Sequence, residues 1–144
     1  HAPLGEDRPD RGARDPEVAE VRERSPLPLR VVLNAHYERA TGADVAFYEG
    51  CLSIPGYQAV VARPREIELR GLDLTGDPLA EVVSGWSARI VAHETDHLSG
   101  ILFLDRAEMR SLATNDSVAR LWHQPSTQKA AAELGFALPS GMVM

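Results

Sequence analysis

Residues 1–26 hold few apolar positions and are broken by Pro3, Pro9, Pro16 and Pro26, a pattern that predicts a flexible polar lead-in with a short helix around Glu17–Arg24. Leu29–Leu33 is short, apolar and partly β-branched, as a strand should be. A turn is expected at Thr41-Gly42, and Val45–Glu49 leads into an extended Gly50–Gly56 broken by Gly and Pro. Tyr57–Ala62 reads as a strand that Arg63-Pro64 interrupts. Glu66–Arg70 alternates polar and apolar like a half-buried strand, and Leu79–Val83 follows a turn at Thr75–Pro78. Ser84 is a candidate N-cap for a helix from about Trp86 to Leu98 that Gly100 would stop. Ile101–Leu104 is expected to be extended, and further helices are expected over Asp116–Trp122 and Thr127–Leu134. Strands, a central helix and then mainly polar helical sequence make an α+β domain over residues 27–144, with antiparallel β-sheets around the central helix.

The composition is that of an ordinary globular protein, 44% apolar and 25% charged over 144 residues. No run approaches the ~18 apolar residues of a membrane span. Net charge is −6, and the basic residues, almost all Arg, form no stripe interleaved with aromatics, so neither a membrane nor direct nucleic-acid partner is expected. Cys51 is the single cysteine, which fits a reducing compartment; a bacterial cytoplasm is expected, an organelle being the alternative.

His93-Glu94-Thr95-Asp96-His97 is the sequence feature that carries chemistry. Residues four apart share a helix face, so two imidazoles there can hold one metal ion, with Glu94 beside a water on that ion. A catalytic site of this kind takes three protein ligands and keeps one position open. Three residues are candidates for the third ligand: His123, Glu108 and Cys51.

Glu49-Gly50-Cys51-Leu52-Ser53, with His93-Glu94-Thr95-Asp96-His97-Leu98 following, resembles two of the three signature motifs of the peptide deformylases. Ser84-Gly85-Trp86, Ala88-Arg89-Ile90 and Arg110-Ser111-Leu112 resemble the mitochondrial- and plant-like branch of that family. The resemblance implies Cys51, His93 and His97 as ligands of one divalent ion, natively Fe(II), with Zn, Ni or Co able to replace it. It implies Glu94 as general acid/base and the Leu52 backbone N–H as an oxyanion donor. N-formylmethionyl peptides are then the substrates, and association with the ribosome is an expectation. Trp86, Arg89 and Ile90, together with Phe47 and Tyr48, are candidates to line the methionine pocket, and Glu49 with the Gly50 backbone to bind the peptide main chain. Asp96 is expected to pair with Arg63 behind the ligands. The family's remaining motif, G-x-G-L-A-A-x-Q, is absent, which implies a missing N-terminal segment, a second chain that supplies it, or, as the alternative function, a degenerate deformylase-like metal-binding protein without efficient catalysis. Ala92 stands where the family usually has Gln.

Overall fold

The computed structural model describes residues 15–140. Asp15 caps a short helix α1 (Pro16–Val21), its side chain accepting from the N–H groups of Glu17 and Val18. Four strands follow: β1 (Leu33–Cys51), β2 (Ile54–Leu72), β3 (Pro78–Ser84) and β4 (Ala107–Thr114). Between β3 and β4 lie helix α2 (Gly85–His97) and a 3-10 turn at Phe103–Asp105. Helices α3 (Asn115–Leu121) and α4 (Gln128–Leu134) close the described chain.

All pairing is antiparallel, and β2 is the spine of the sheet. β1 runs along one edge of β2, while β3 and β4 share the other edge end to end. Ala59, Val60 and Val61 are buried in succession because both faces of β2 are covered. Ala59 and Val61 pack with Phe103 on one face; Val60 packs with Ala46, Tyr48, Val118 and Ala130 on the other. Further along, Ile67 packs against Ala88 and Ala92, which seats α2 on the sheet.

Several sequence expectations change in this setting. Leu29–Leu33 forms no strand before Leu33, and Leu29 is fully exposed. A strand is made by its ladder, and residues 27–32 have none among the described residues. The expected turn at Thr41-Gly42 is absorbed into β1 as an irregularity in its register. Arg63-Pro64 does not interrupt β2. β4 pairs only as far as Val61 and β3 begins at Glu66, so no neighbour on that edge needs the N–H that Pro64 lacks. Ile101–Leu104 is not extended: the Leu102 N–H donates to Asp105 Oδ2 at 2.8 Å, and the chain turns there, driving Phe103 into the core.

β4 is an element the mixed polar pattern of Ala107–Thr114 did not announce. Its pairing slips past residue 59, and the buried Ser111 hydroxyl repairs the slip by accepting from the Val60 N–H at 2.7 Å. Residues after 112 pack on the body. Trp122, Leu134, Phe136 and Leu138 lie against the Ala46–Tyr48–Val60 cluster, and the buried Thr127 hydroxyl donates to the Ala46 carbonyl at 2.6 Å. The polar lead-in, described from Asp15 onward, is docked as well: the Trp86 N–H donates to the Glu23 carbonyl at 3.2 Å. Residues 1–14 lie outside the described residues.

Thr127→Val should cost about 1–3 kcal/mol, because the Ala46 carbonyl would stay buried without its donor; urea denaturation measures it. Tyr48→Phe should do the opposite. Among the described residues the buried Tyr48 hydroxyl has no hydrogen-bond partner, so removing it should leave stability unchanged or raise it by up to about 1 kcal/mol. Burial also pushes this phenol up to about 12 from an ordinary 10.0. The unfolded chain therefore loses this proton first, and stability should fall as pH rises from about 10 towards 12. That part of the pH dependence should be absent in Tyr48→Phe.

Candidate metal centre

Side chains on a strand alternate between faces, so Phe47, Glu49 and Cys51 share one face of β1 and Ala46 and Tyr48 share the other. The first set meets successive turns of α2. Phe47 packs against Trp86 with ring centroids 5.8 Å apart, Glu49 meets Arg89 and His93, and Cys51 meets His97. Two residues of strand span ~6.6 Å and one turn of helix 5.4 Å, so the contacts stay nearly in step over this length.

At the end of that seam the ligand-bearing atoms of Cys51, His93 and His97 all lie within 4.8 Å of one another. Cys51 Sγ is 3.6 Å from His97 Nε2, and the two imidazoles stand edge to face with centroids 4.8 Å apart. Three ligand atoms converging from two elements suit a single divalent ion with an open coordination position. A thiolate beside two imidazoles is a softer donor set than imidazole with carboxylate. Hydrogen bonds decide the state of the thiol. Burial would raise its pKa, but the Ser53 backbone N–H, His93 and the Ser53 hydroxyl outweigh burial and lower it.

Behind these three residues lies a buried ionic network. Glu49, 6% exposed, accepts from Arg63 Nη2 at 3.0 Å, from Arg89 Nη1 at 2.7 Å and from His93 Nδ1 at 3.1 Å. The last bond leaves His93 Nε2 to face the cluster and holds the imidazole up at about 9. Arg63 also reaches Asp96 Oδ2 at 3.0 Å. Arg106 donates to the same carboxylate at 2.8 and 3.2 Å, and the Tyr37 hydroxyl at 2.7 Å. Burial would raise both carboxyl pKa values, yet these donors win and lower them, Glu49 to about 2.

A cleft of about 670 Å³ opens in front of Cys51 and His93. Trp86, Ile90 and Glu94 line it from α2; Tyr48 to Leu52 and Ile54 to Gln58 line it from the β1–β2 hairpin. Leu52 is fully exposed at the rim, directly after Cys51. Glu94 is exposed, with Oε2 3.6 Å from His97 Nδ1.

Two expected substrate contacts take part in internal bonding. Glu49 and Arg89 border the cleft, but both are buried and their charged groups are saturated. Arg89 donates to Glu49 and to the carbonyls of Val61 and Val45 at 2.9 and 2.6 Å. These bonds engage the charged groups of both residues within the protein. Phe47 lies buried beside Trp86, and Tyr48 belongs largely to the core on the opposite face. Among the described residues, neither His123 nor Glu108 joins the ligand cluster. Sequence reasoning missed Arg22 and Arg24 of the lead-in and Gln58 and Asn115, all of which border the cleft. It also missed Tyr37 and Arg106 on Asp96. Nothing local in the sequence marks them, because each is brought in from a distant segment.

The comparisons point the same way. The family model described as polypeptide deformylase matches residues 10–113. Peptide deformylase 3 of Streptomyces avermitilis is 58% identical over 124 residues, 85% of this chain and 55% of its own length. The human mitochondrial peptide deformylase is 40% identical over 96 residues, 67% of this chain and 40% of its own, so the Streptomyces protein is nearer in sequence. A peptide deformylase from Synechococcus elongatus, solved in complex with actinonin, superposes with a TM-score of 0.52. It is 35% identical, the match covering 80% of this chain and 54% of that one. The chain spans about half the length of the curated relatives it matches.

Glu49→Gln keeps the shape and removes the charge. It should cost about 3–5 kcal/mol, since Arg89 would be left without its counter-ion and Arg63 would keep only Asp96. It should also weaken Zn(II) binding by about 10–100-fold through the lost His93 contact. Chelator competition and urea denaturation read the two effects separately. Glu49 ionises far below its ordinary 4.5, so its stabilisation is complete above about 4.5 and disappears as pH falls towards about 2. The stability difference between parent and variant should close over that interval.

Proposed function

This chain belongs to the polypeptide deformylase family, and we propose on that premise that it carries the metal-binding half of an enzyme that removes the formyl group from N-terminal formylmethionine. The convergence of Cys51, His93 and His97, with Cys51 and His93 lining a peptide-sized cleft, carries this reading. Those three residues would hold one divalent ion, and Fe(II) is the ion we propose, the donor set also suiting Zn, Ni or Co. When bound, the ion supplies Lewis acidity that acidifies water and polarises the formyl carbonyl.

The chain's own residues do the rest. Glu94, exposed in the cleft beside His97, takes a proton from the attacking water and delivers it to the amine as the carbon–nitrogen bond breaks and formate leaves. The Leu52 N–H donates to the developing oxyanion, a contact of a kind worth ~10²–10³ in rate. Glu49 keeps His93 in the tautomer that presents Nε2. Trp86 and Ile90 receive the methionine side chain, and the Gly50 backbone pairs with the peptide main chain. Nascent chains in a bacterial cytoplasm, met at the ribosome, are the proposed source of substrate. Bacterial relatives support that setting, and no described helix is long and apolar enough to cross a membrane.

Formate release from formyl-Met-Ala-Ser by anaerobically Fe(II)-loaded protein tests the reading, run on this chain and on a form extended to the relatives' length. Glu94→Ala should lose at least about 10²-fold in rate with metal content unchanged. Stoichiometric metal with no formate from either form would remove the hydrolase reading and leave a metal-binding protein.

A further inference from the structure

The lead-in crosses the N-terminal end of α2 and is fixed there by contacts from three directions. The Glu23 carbonyl accepts from the Trp86 N–H at 3.2 Å, filling a bond that the first turn of a helix cannot make within itself. The Glu23 carboxylate pairs with Arg65 of β2. Arg22 reaches the carbonyls of Pro125 and Gln124 at 3.4 and 3.5 Å. Gly85 makes the approach feasible: it sits at φ +67°, and a Cβ there would come within 2.7 Å of the Glu23 oxygen.

The Arg24 guanidinium lies over the Trp86 ring, 4.3 Å from its centroid, and Phe47 packs on Trp86 at 5.8 Å. Trp86, Arg22 and Arg24 all line the cleft that holds Glu94 and His93. The indole is thereby held by a segment that lies far from the metal ligands in sequence.

We propose that residues 22–25 act as a clamp on Trp86, with Arg24 the positioning residue, and that the clamp sets the cleft's discrimination among first side chains of a bound peptide. The inference rests on reading the cleft as the peptide site of a deformylase. A wall fixed by stacking accepts a flexible, unbranched thioether and resists a bulky ring. Released, the indole yields to larger side chains, and the preference narrows.

The test uses Zn(II)-loaded protein carrying Trp122→Phe, which leaves Trp86 as the only tryptophan, and fluorescence titration with Met-Ala-Ser and Phe-Ala-Ser. The unclamped variants are Arg24→Leu and Gly85→Ala, the second displacing the segment with Arg24 still present; Arg24→Lys retains the cation. The parent should prefer Met-Ala-Ser. Both unclamped variants should lose about threefold to tenfold of that preference with zinc content unchanged, and Arg24→Lys should keep most of it. A preference unaltered in Arg24→Leu and Gly85→Ala overturns the clamp, as does a parent with no preference. A preserved preference pattern without formate release would support the clamp while counting against the hydrolytic reading.

Discussion

The Glu49 carboxylate is buried between the sheet and α2, and the arrangement of the site depends on the three groups that face it. Taking a carboxylate out of water costs several kcal/mol, and a buried ion pair recovers that only with good geometry and full hydrogen bonding. Here the recovery needs Arg63 from β2, and Arg89 and His93 from α2, at one point. The same requirement fixes the helix against the strands in one register and selects which nitrogen of His93 faces outward. Asp96 repeats the arrangement with Arg63, Arg106 and Tyr37, so Arg63 bridges both carboxylates. Packing of Ile67 on Ala88 and Ala92 supplies the hydrophobic attraction between helix and sheet, but small alanines leave sliding and rotation open. The charges close those freedoms.

That division of labour explains where the ligands come from. One face of β1 and one face of α2 run side by side from Phe47 and Trp86 to Cys51 and His97, changing along the seam from aromatic to ionic to metal-binding. Trp86 at the apolar end borders the cleft, the ionic middle holds register, and the far end brings Cys51, His93 and His97 together. The opposite face of β1 is backed by α3 and α4 through Ala46 and Tyr48, so the strand carrying Cys51 is supported on both sides.

The sequence is most readable where structure is local. The Trp86–Leu98 helix, the later helices and the convergence of Cys51, His93 and His97 follow from spacing within a few turns or from linked motifs. Long β2 and short β4 were hidden because a strand is defined by partners. Arg63-Pro64 looks like a break until the division of the β2 edge between β3 and β4 is known, and Leu29–Leu33 looks like a strand until its lack of a ladder is seen. The same holds for the site. Glu49 beside Gly50 and Cys51 reads as a substrate contact in one dimension, whereas two arginines and His93 from other elements hold its carboxylate internally. Arg22 and Arg24 carry no signal in a polar lead-in, since the feature that gives them a place is Trp86, some sixty residues on.

The central claim is that this network presents Cys51, His93 and His97 as a preformed three-ligand site. X-ray absorption at the zinc edge of the Zn(II)-loaded chain tests it most directly. The account requires one sulfur at about 2.3 Å and two imidazole nitrogens at about 2.0–2.1 Å in the first shell. A shell of nitrogen and oxygen alone, with Cys51 outside it, would contradict it.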